Sequence, residues 1–317
     1  MRFQITELSI GEIKERFLRD GQSVSAHLLK QLKRDPRHGV RRLHELLRRK
    51  YEKERTERIR LDGMLNFERV LWKSGIVHIA GVDEVGVGPL AGPVVAAAVV
   101  FPPGADLTGI DDSKRLEPHV RVELTQQIRA AASGIGIGSA DVGEIDQLNI
   151  YQAGLVAMRR AIEALPFTPQ HVLVDSRTVP GLGIPQNSFY KGDGINFSIA
   201  AASIVAKTHR DRLMEELDRK YPGYGFAQHK GYATADHQTA IRRLGPCAIH
   251  RLSYQFIQEL CGKFSLSFYQ LKDQLEEAES ESALKAVEQA FADRCTDLNE
   301  NEQRKLRVML SRRWKTI

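Results

Sequence analysis

Four carboxylates in this chain stand where an apolar run gives way to a turn. Asp83 and Glu84 close "IAGVDE", which runs directly into the glycine-lined "VGVGPLAG". Asp175 closes "HVLVD", and Asp193 closes "FYKGD" just ahead of the apolar stretch "SIAAASIVAK". An unpaired carboxylate is costly to bury, so acids at the ends of core strands need a partner. No Lys or Arg is built into the same strands. Divalent magnesium or manganese would meet the need, because hard cations take clustered carboxylate oxygens. Taken singly, each acid reads as an ordinary turn or cap residue. The argument for metal rests on the set. Asp211, in "THRDR", competes for a place in it, but falls inside a helical pattern and is expected to pair with a basic neighbour.

Neighbouring strand residues point to opposite faces, so Asp83 and Glu84 can converge only if the strand kinks. Gly86, Gly88 and Gly92 permit that kink and a close approach by a ligand. The same glycines suggest a dinucleotide-binding turn, but their spacing is GxGxxxG in place of GxGxxG. The acids just before it would also repel a pyrophosphate.

The elements that must hold these acids show three textures. Residues 1–75 read as helices alone, with Val40, Leu43, Leu47 and Tyr51 on one face and an almost wholly charged run from Arg48 to Arg60. Over residues 76–262, β-rich runs (77–83, 93–101, 134–140, 171–175, 187–191) alternate with helical stretches (117–132, 143–164, 196–219). That alternation predicts an α/β domain with a mixed sheet, and helical pattern continues at 235–244 and 252–262. Residues 263–317 are helical again, with Asn299 and Glu302 spaced as a capping box.

Charge follows the same division. The chain of 317 residues has a net charge of +6, yet residues 1–75 hold 19 Lys and Arg against 11 Asp and Glu. The other 242 residues hold 27 against 29. Such segregation suits a polyanionic partner such as nucleic acid, or simply a solvated helical surface. The longest apolar run, 94–101, is too short to span a bilayer, and no segment resembles a signal peptide, so no membrane association is expected. Cys247, Cys261 and Cys295 are scattered, which argues against a disulfide framework or a zinc site and suggests a reducing cytoplasm.

Six stretches in order, "GVDEVGVGPLAGPVV" (81–95), "DDSKRL" (111–116), "VLVD" (172–175), "KGDGINFSIAAASIVAKTHRD" (191–211), "YGFAQHKGYAT" (224–234) and "HRLSY" (250–254), resemble the ribonuclease HII (type 2 ribonuclease H) family. The basic helical region 1–75 resembles an extension carried by some bacterial members. Residues 263–317 match nothing in that pattern and read as a helical appendage packing on the main domain. The resemblance implies a ribonuclease H-like mixed sheet flanked by helices, with all-α extensions at both ends. It implies metal-dependent endonucleolytic cleavage of RNA in RNA/DNA hybrids and of single ribonucleotides embedded in duplex DNA. The cut would fall on the 5′ side, leaving a 3′-hydroxyl and a 5′-phosphate. By motif, Asp83, Glu84, Asp175 and Asp193 become the catalytic carboxylates holding two Mn2+ or Mg2+ ions, with Asp83 the candidate to bridge them. Gly86, Val87, Gly88 and Tyr232 fall on substrate-binding positions, and Tyr232 would stack on the ribose bearing the 2′-hydroxyl.

The chain departs from the family at Val87, where an arginine usually helps to hold the substrate phosphate. Lowered affinity or a blunted preference for single ribonucleotides is therefore expected. Two alternatives follow from that departure: a ribonuclease HIII-like preference for long hybrids, or a catalytically weak hybrid-binding protein. A cytoplasmic monomer is expected.

Overall fold

The first helices form a unit of their own, Met1–Asn66, separate from Phe67–Ile317. In this computed structural model residues 5–105, 107–261 and 264–315 are described, without the side chains of Thr6, Leu260 and Cys261. The expectation for the Cys261 thiol lies outside that set.

In the first unit, α1 (Ile10–Lys14) opens on a reciprocal capping box between Ser9 and Glu12, and α2 (Ala26–Arg34) is capped by the Ser25 hydroxyl. Helix α3 (His38–Met64) runs for 27 residues. Ile13, Leu32, Val40 and Leu47 make the fully buried centre of this unit. Past Leu47 the helix lacks an apolar stripe and is laced by its own ion pairs, Arg48 with Glu45 and Glu52, and Arg60 with Glu57. Such pairs support an exposed helix by a few tenths of a kcal/mol each, roughly 0.2–0.5.

The second unit begins within α4 (Asn66–Lys73), at Phe67, and then builds β1 (Ile79–Val85), β2 (Val94–Val100), α5 (Pro118–Ala131) and β3 (Gly134–Ala140). Next come α6 (Val142–Leu148), α7 (Ile150–Glu163), β4 (His171–Asp175), β5 (Gln186–Phe189) and α8 (Phe197–Lys220). The five strands lie in the order β3-β2-β1-β4-β5, antiparallel across the first three and parallel from β1 through β4 to β5. Every residue of β2 is buried, as the unbroken apolar run "VVAAAVV" requires of a strand covered on both faces.

Alternation assigns the faces. Ala80, Val82, Val172 and Val174 pack with residues of α7, whereas Ile79 and Leu173 pack with Ile199 of α8. At Gly81 a Cβ would come 2.1 Å from the Ser198 carbonyl carbon, so only glycine lets α8 lie this close to β1.

Two boundaries differ from the sequence reading. The helical stretch 143–164 is broken at Asn149, whose φ of 69° suits asparagine and whose side chain caps α7 by accepting from Gln152 N–H. The division placed at 75/76 falls at 66/67, because α4 belongs with the sheet. Its fully buried Glu68 carboxylate accepts from Ser198 N–H, Ser198 Oγ (2.8 Å) and Asn196 Nδ2 (3.2 Å).

Helices α9 (Phe226–His229), α10 (Ala235–Leu244) and α11 (Gln255–Cys261) follow, then α12 (Leu266–Glu277), α13 (Glu281–Asp293) and α14 (Glu300–Arg313). The last three share two small cores, one around Leu271 and Leu306 and one around Leu275 and Leu284. The Asn299–Glu302 capping box opens α14. These helices belong to the second unit, and Asp273 of α12 accepts Ala248 N–H at 2.6 Å. Among the described residues no helix is long and apolar enough to cross a membrane. Cys247 and Cys295 are free thiols.

Candidate metal centre

The ladder between β1 and β2 continues to Val85↔Val95, but the ladder between β1 and β4 stops at Val82↔Val174. Asp83, Glu84 and Asp175 therefore sit just beyond the last bonded pair of the two central strands. By the pleat, Asp83 and Asp175 share the α8 face and Glu84 starts on the α7 face. Even so, one oxygen from each lies within 4.8 Å of the others. The expected kink is absent, since the register with β2 is unbroken through all three residues Asp83, Glu84 and Val85. Convergence happens instead where the β1–β4 ladder ends, and side chains from both faces reach past that end. Gly86 turns the chain away only afterwards: its φ is 94°, and a Cβ there would meet Arg210 Nε at 2.3 Å.

Burial, and then the charges of Glu84 and Asp175, hold the Asp83 carboxyl well above the usual carboxylate range. Burial and then Asp175 push Glu84 up to about 7. Protein donors satisfy only part of the cluster. Asp83 Oδ1 accepts Glu84 N–H at 2.8 Å, and Asp175 accepts Gly192 N–H at 2.6 Å and Ser176 Oγ at 2.9 Å. Glu84 Oε2 is buried with no hydrogen-bond partner. Clustered carboxylate oxygens that repel one another, one of them unpaired, are the donor set that a hard divalent cation takes.

Asp193 lies one step outside the group of three. It sits on the turn Gly192–Gly194, buried, with its pKa raised by burial and then by Asp112 and Asp175. The structure thus gathers three of the four acids and sets the fourth beside Asp175. Lys114, in the quoted "DDSKRL" but given no role from sequence, places Nζ 3.9 Å from Asp193 Oδ2. Burial works against its ammonium, but Asp193 and Asp112 raise its pKa on balance. Asp211 pairs with Arg121 at 3.2 Å and Lys207 at 2.5 Å, the helical salt bridge expected of it.

Two arginines build the turn after the acids. Arg251, fully buried, donates to the carbonyls of Gly86 (2.5 Å), Val87 (2.9 Å) and Gly92 (2.9 Å). Arg210, equally buried, donates to Pro93 (2.9 Å), Ala91 (3.1 Å) and Lys230 (3.0 Å). Burial and then Arg251 bring the Arg210 pKa down to about 10. Both lie in stretches singled out from sequence, "HRLSY" and "THRD", but nothing local there marks them as loop supports.

The Val87 carbonyl is thus anchored from beneath, and also accepts from Tyr254 Oη at 2.8 Å, while its side chain is 43% exposed. Gly88 adjoins Tyr232: a Cβ at Gly88 would lie 3.7 Å from the ring. Tyr232 is 41% exposed and is held through its main chain by imidazoles. Cys247 N–H donates to His250 Nδ1 at 2.9 Å, so His250 carries its proton on Nε2 and donates to His237 Nε2 at 3.2 Å. His237 then donates through Nδ1 to the Tyr232 carbonyl at 2.8 Å. Burial lowers His237 to about 4 and His250 to about 3, so both stay neutral and the relay keeps one direction.

A mixed sheet of order β3-β2-β1-β4-β5 with acids at the ends of β1 and β4 defines the ribonuclease H-like class. Comparison with known proteins narrows this. The family model "Ribonuclease HII" matches residues 80–257, and "Ribonuclease HII N-terminal domain" matches residues 9–72. Ribonuclease HII of Myxococcus xanthus is 49% identical over 260 residues, spanning 82% of this chain and 89% of its own. That of Geobacillus thermodenitrificans is 50% identical over 231 residues, 73% of this chain and 89% of its own. The crystal structure of ribonuclease H2 from Pyrococcus horikoshii aligns with TM-score 0.49 and 25% identity, over 57% of this chain and 96% of that one. The chain belongs to the ribonuclease HII family, and is an endoribonuclease of the metal-dependent hydrolase type.

Proposed function

We propose that the protein cleaves the RNA strand of RNA/DNA hybrids and also nicks duplex DNA on the 5′ side of a single embedded ribonucleotide. The products carry a 3′-hydroxyl and a 5′-phosphate. Asp83, Glu84, Asp175 and Asp193 hold two Mn2+ or Mg2+ ions. The observation that carries this reading is the set of three acids with oxygens within 4.8 Å, one oxygen buried and unpaired. Such ions, when bound, activate water and neutralise charge on the phosphate.

The chain's own groups do the rest. Asp83, the most deeply buried of the acids, lies against both Glu84 and Asp175 and would hold the metal together with them. The Gly86–Gly88 turn, fixed by Arg251, offers main-chain groups to the strand. Tyr232 lays its exposed ring beside that turn, where it can pack on a ribose bearing a 2′-hydroxyl. The basic unit at the N-terminus adds phosphate contacts. Val87, which brings no donor to an exposed position, favours a second reading in degree: relatively better cleavage of long hybrids than of single ribonucleotides.

The test is metal-dependent cleavage of two labelled duplexes, one with a single ribonucleotide and one a long hybrid. Both should be cut, and Asp83→Asn should lower the rate about 10³-fold or more, since metal-based charge stabilisation supplies several kcal/mol. Cleavage that needs no metal, or that survives Asp83→Asn, ends the proposal. Repeating the binding across salt tests the arm: removing residues 1–66 should flatten the slope, and an unchanged slope rules out phosphate contacts there.

A further inference from the structure

A cleft of 260 Å³ opens beside the acids, lined by Glu84, Val87, Tyr151, Asp175 and Arg177 among others. Arg177 is the cation in this wall. Its guanidinium lies 4.0 Å from the Tyr151 ring centroid, and both side chains are exposed. Among the described residues no carboxylate lies within salt-bridge distance of it and it makes no side-chain hydrogen bond, although its charge favours the ionised form of Glu84 in the same cleft. Stacking fixes the plane of the guanidinium and lowers the entropy lost when it binds a ligand.

The backbone that places it is strained. Ser176, between Asp175 and Arg177, has φ 62°, a left-handed conformation that residues other than glycine rarely adopt. Arg177 N–H closes the turn on the Asp175 carbonyl at 2.7 Å, and Ser176 Oγ donates to the Asp175 carboxylate. One residue with positive φ therefore ties an acid of the cluster to a stacked, exposed cation at its rim.

We infer that Arg177, stacked on Tyr151, binds a backbone phosphate of the nucleic-acid strand next to the one being cut, on the side of the cleft where Val87 brings no donor. The inference rests on the reading that the strand crosses the acid cluster. A strand carries one phosphate for about every 3.4 Å of helical rise, so seating one over the acids must bring its neighbours to the rim. At that rim Glu84 and Asp175 would repel a phosphate, and Arg177 is the cation lining this cleft that answers them. Its planar fork suits two oxygens of one phosphate.

Three full-length variants test this, read as KM, kcat and the salt dependence of binding for the long hybrid. Arg177→Ala should raise KM roughly 10- to 100-fold, the worth of one charge-assisted contact, with kcat within about twofold of the parent. Its plot of log affinity against log salt should flatten by about 0.7–0.9, one phosphate contact. Arg177→Lys should keep the steeper slope while losing part of the affinity, because the charge stays and the fork goes. Adding Val87→Arg to Arg177→Ala should restore affinity, since it puts a guanidinium on the same cleft wall. Unchanged KM and slope in Arg177→Ala would overturn the inference. So would a fall in kcat alone, which would make the residue a support for Asp175, and so would a flat slope in Arg177→Lys. Loss of all metal-dependent cleavage by the parent protein would instead count against the strand-crossing reading itself.

Discussion

The two ends of the Gly86 turn treat buried charge in opposite ways. On one side Asp83 and Glu84 crowd against Asp175, and protein donors leave Glu84 Oε2 with nothing. On the other, Arg210 and Arg251 are as deeply buried, without a carboxylate hydrogen bond among the described residues, yet each is wrapped by main-chain carbonyls. Both arrangements take charge out of water at considerable cost. Only the cationic one is closed. The arginines act as cross-links, complete within the chain, that fix the loop through its main-chain oxygens. The acids form an open electrostatic problem that needs charge from outside, as expected of a centre whose affinity for metal is bought with stability.

The largest effect that would break this comparison lies on the cationic side. Arg251→Met keeps much of the volume but abandons the carbonyls of Gly86, Val87 and Gly92, and should cost about 3–5 kcal/mol, seen as a shift in the denaturant midpoint. Lysine at the same position should recover little, because three carbonyls set at different angles need the fork. If Arg251→Met unfolds like the parent, the carbonyls find other partners and the loop is not closed by arginine.

The acidic side should respond to metal where the cationic side does not. Saturating Mn2+ or Mg2+, at about a thousandfold over Kd, should stabilise the parent by about 4 kcal/mol through mass action. Asp83→Asn should lose most of that increment and, without metal, should unfold at a higher temperature than the parent, since one of three repelling carboxylates is gone. Thermal unfolding with and without the ion reads both. A variant as metal-responsive as the parent would place the ion elsewhere.

The two sides were also unequally legible in the sequence. Acids that end apolar runs announce themselves, because each strand end carries its own signal, and Asp83, Glu84 and Asp175 were found that way. How they converge was not legible. A kink was expected from the alternation rule, but the ladder to β2 runs on and the side chains meet where the β1–β4 ladder stops, a property of strand pairing and not of one strand. Arg210 and Arg251 stay hidden for a related reason. Their acceptors lie 117 and 159 residues away along the chain, at Pro93 and Gly92, and no local pattern encodes a partner so distant. Asn149 shows the same limit at short range, since asparagine fits a helix surface as readily as the break it makes here.

Asp273 offers a third treatment of buried charge and the smallest of these effects. It is the buried acid of α12, and its carboxylate accepts Ala248 N–H at 2.6 Å. Burial outweighs that bond and raises its pKa from 3.8 to about 6. The folded state therefore holds this proton more tightly than the unfolded chain does, and the sign follows. The stabilising contribution is complete below about pH 4 and fades as pH rises through about 6, amounting to at most about 3 kcal/mol. Asp273→Asn can still accept the Ala248 N–H but cannot ionise, so its stability should lack this decline. The acids of the metal centre titrate in the same direction, which makes the difference between variant and parent from pH 4 to 7 the quantity to measure. A flat difference would show that α12 lets water reach this carboxylate. In that case the closed arginines and the open metal centre would be the only two of these three arrangements in which burial governs the charge.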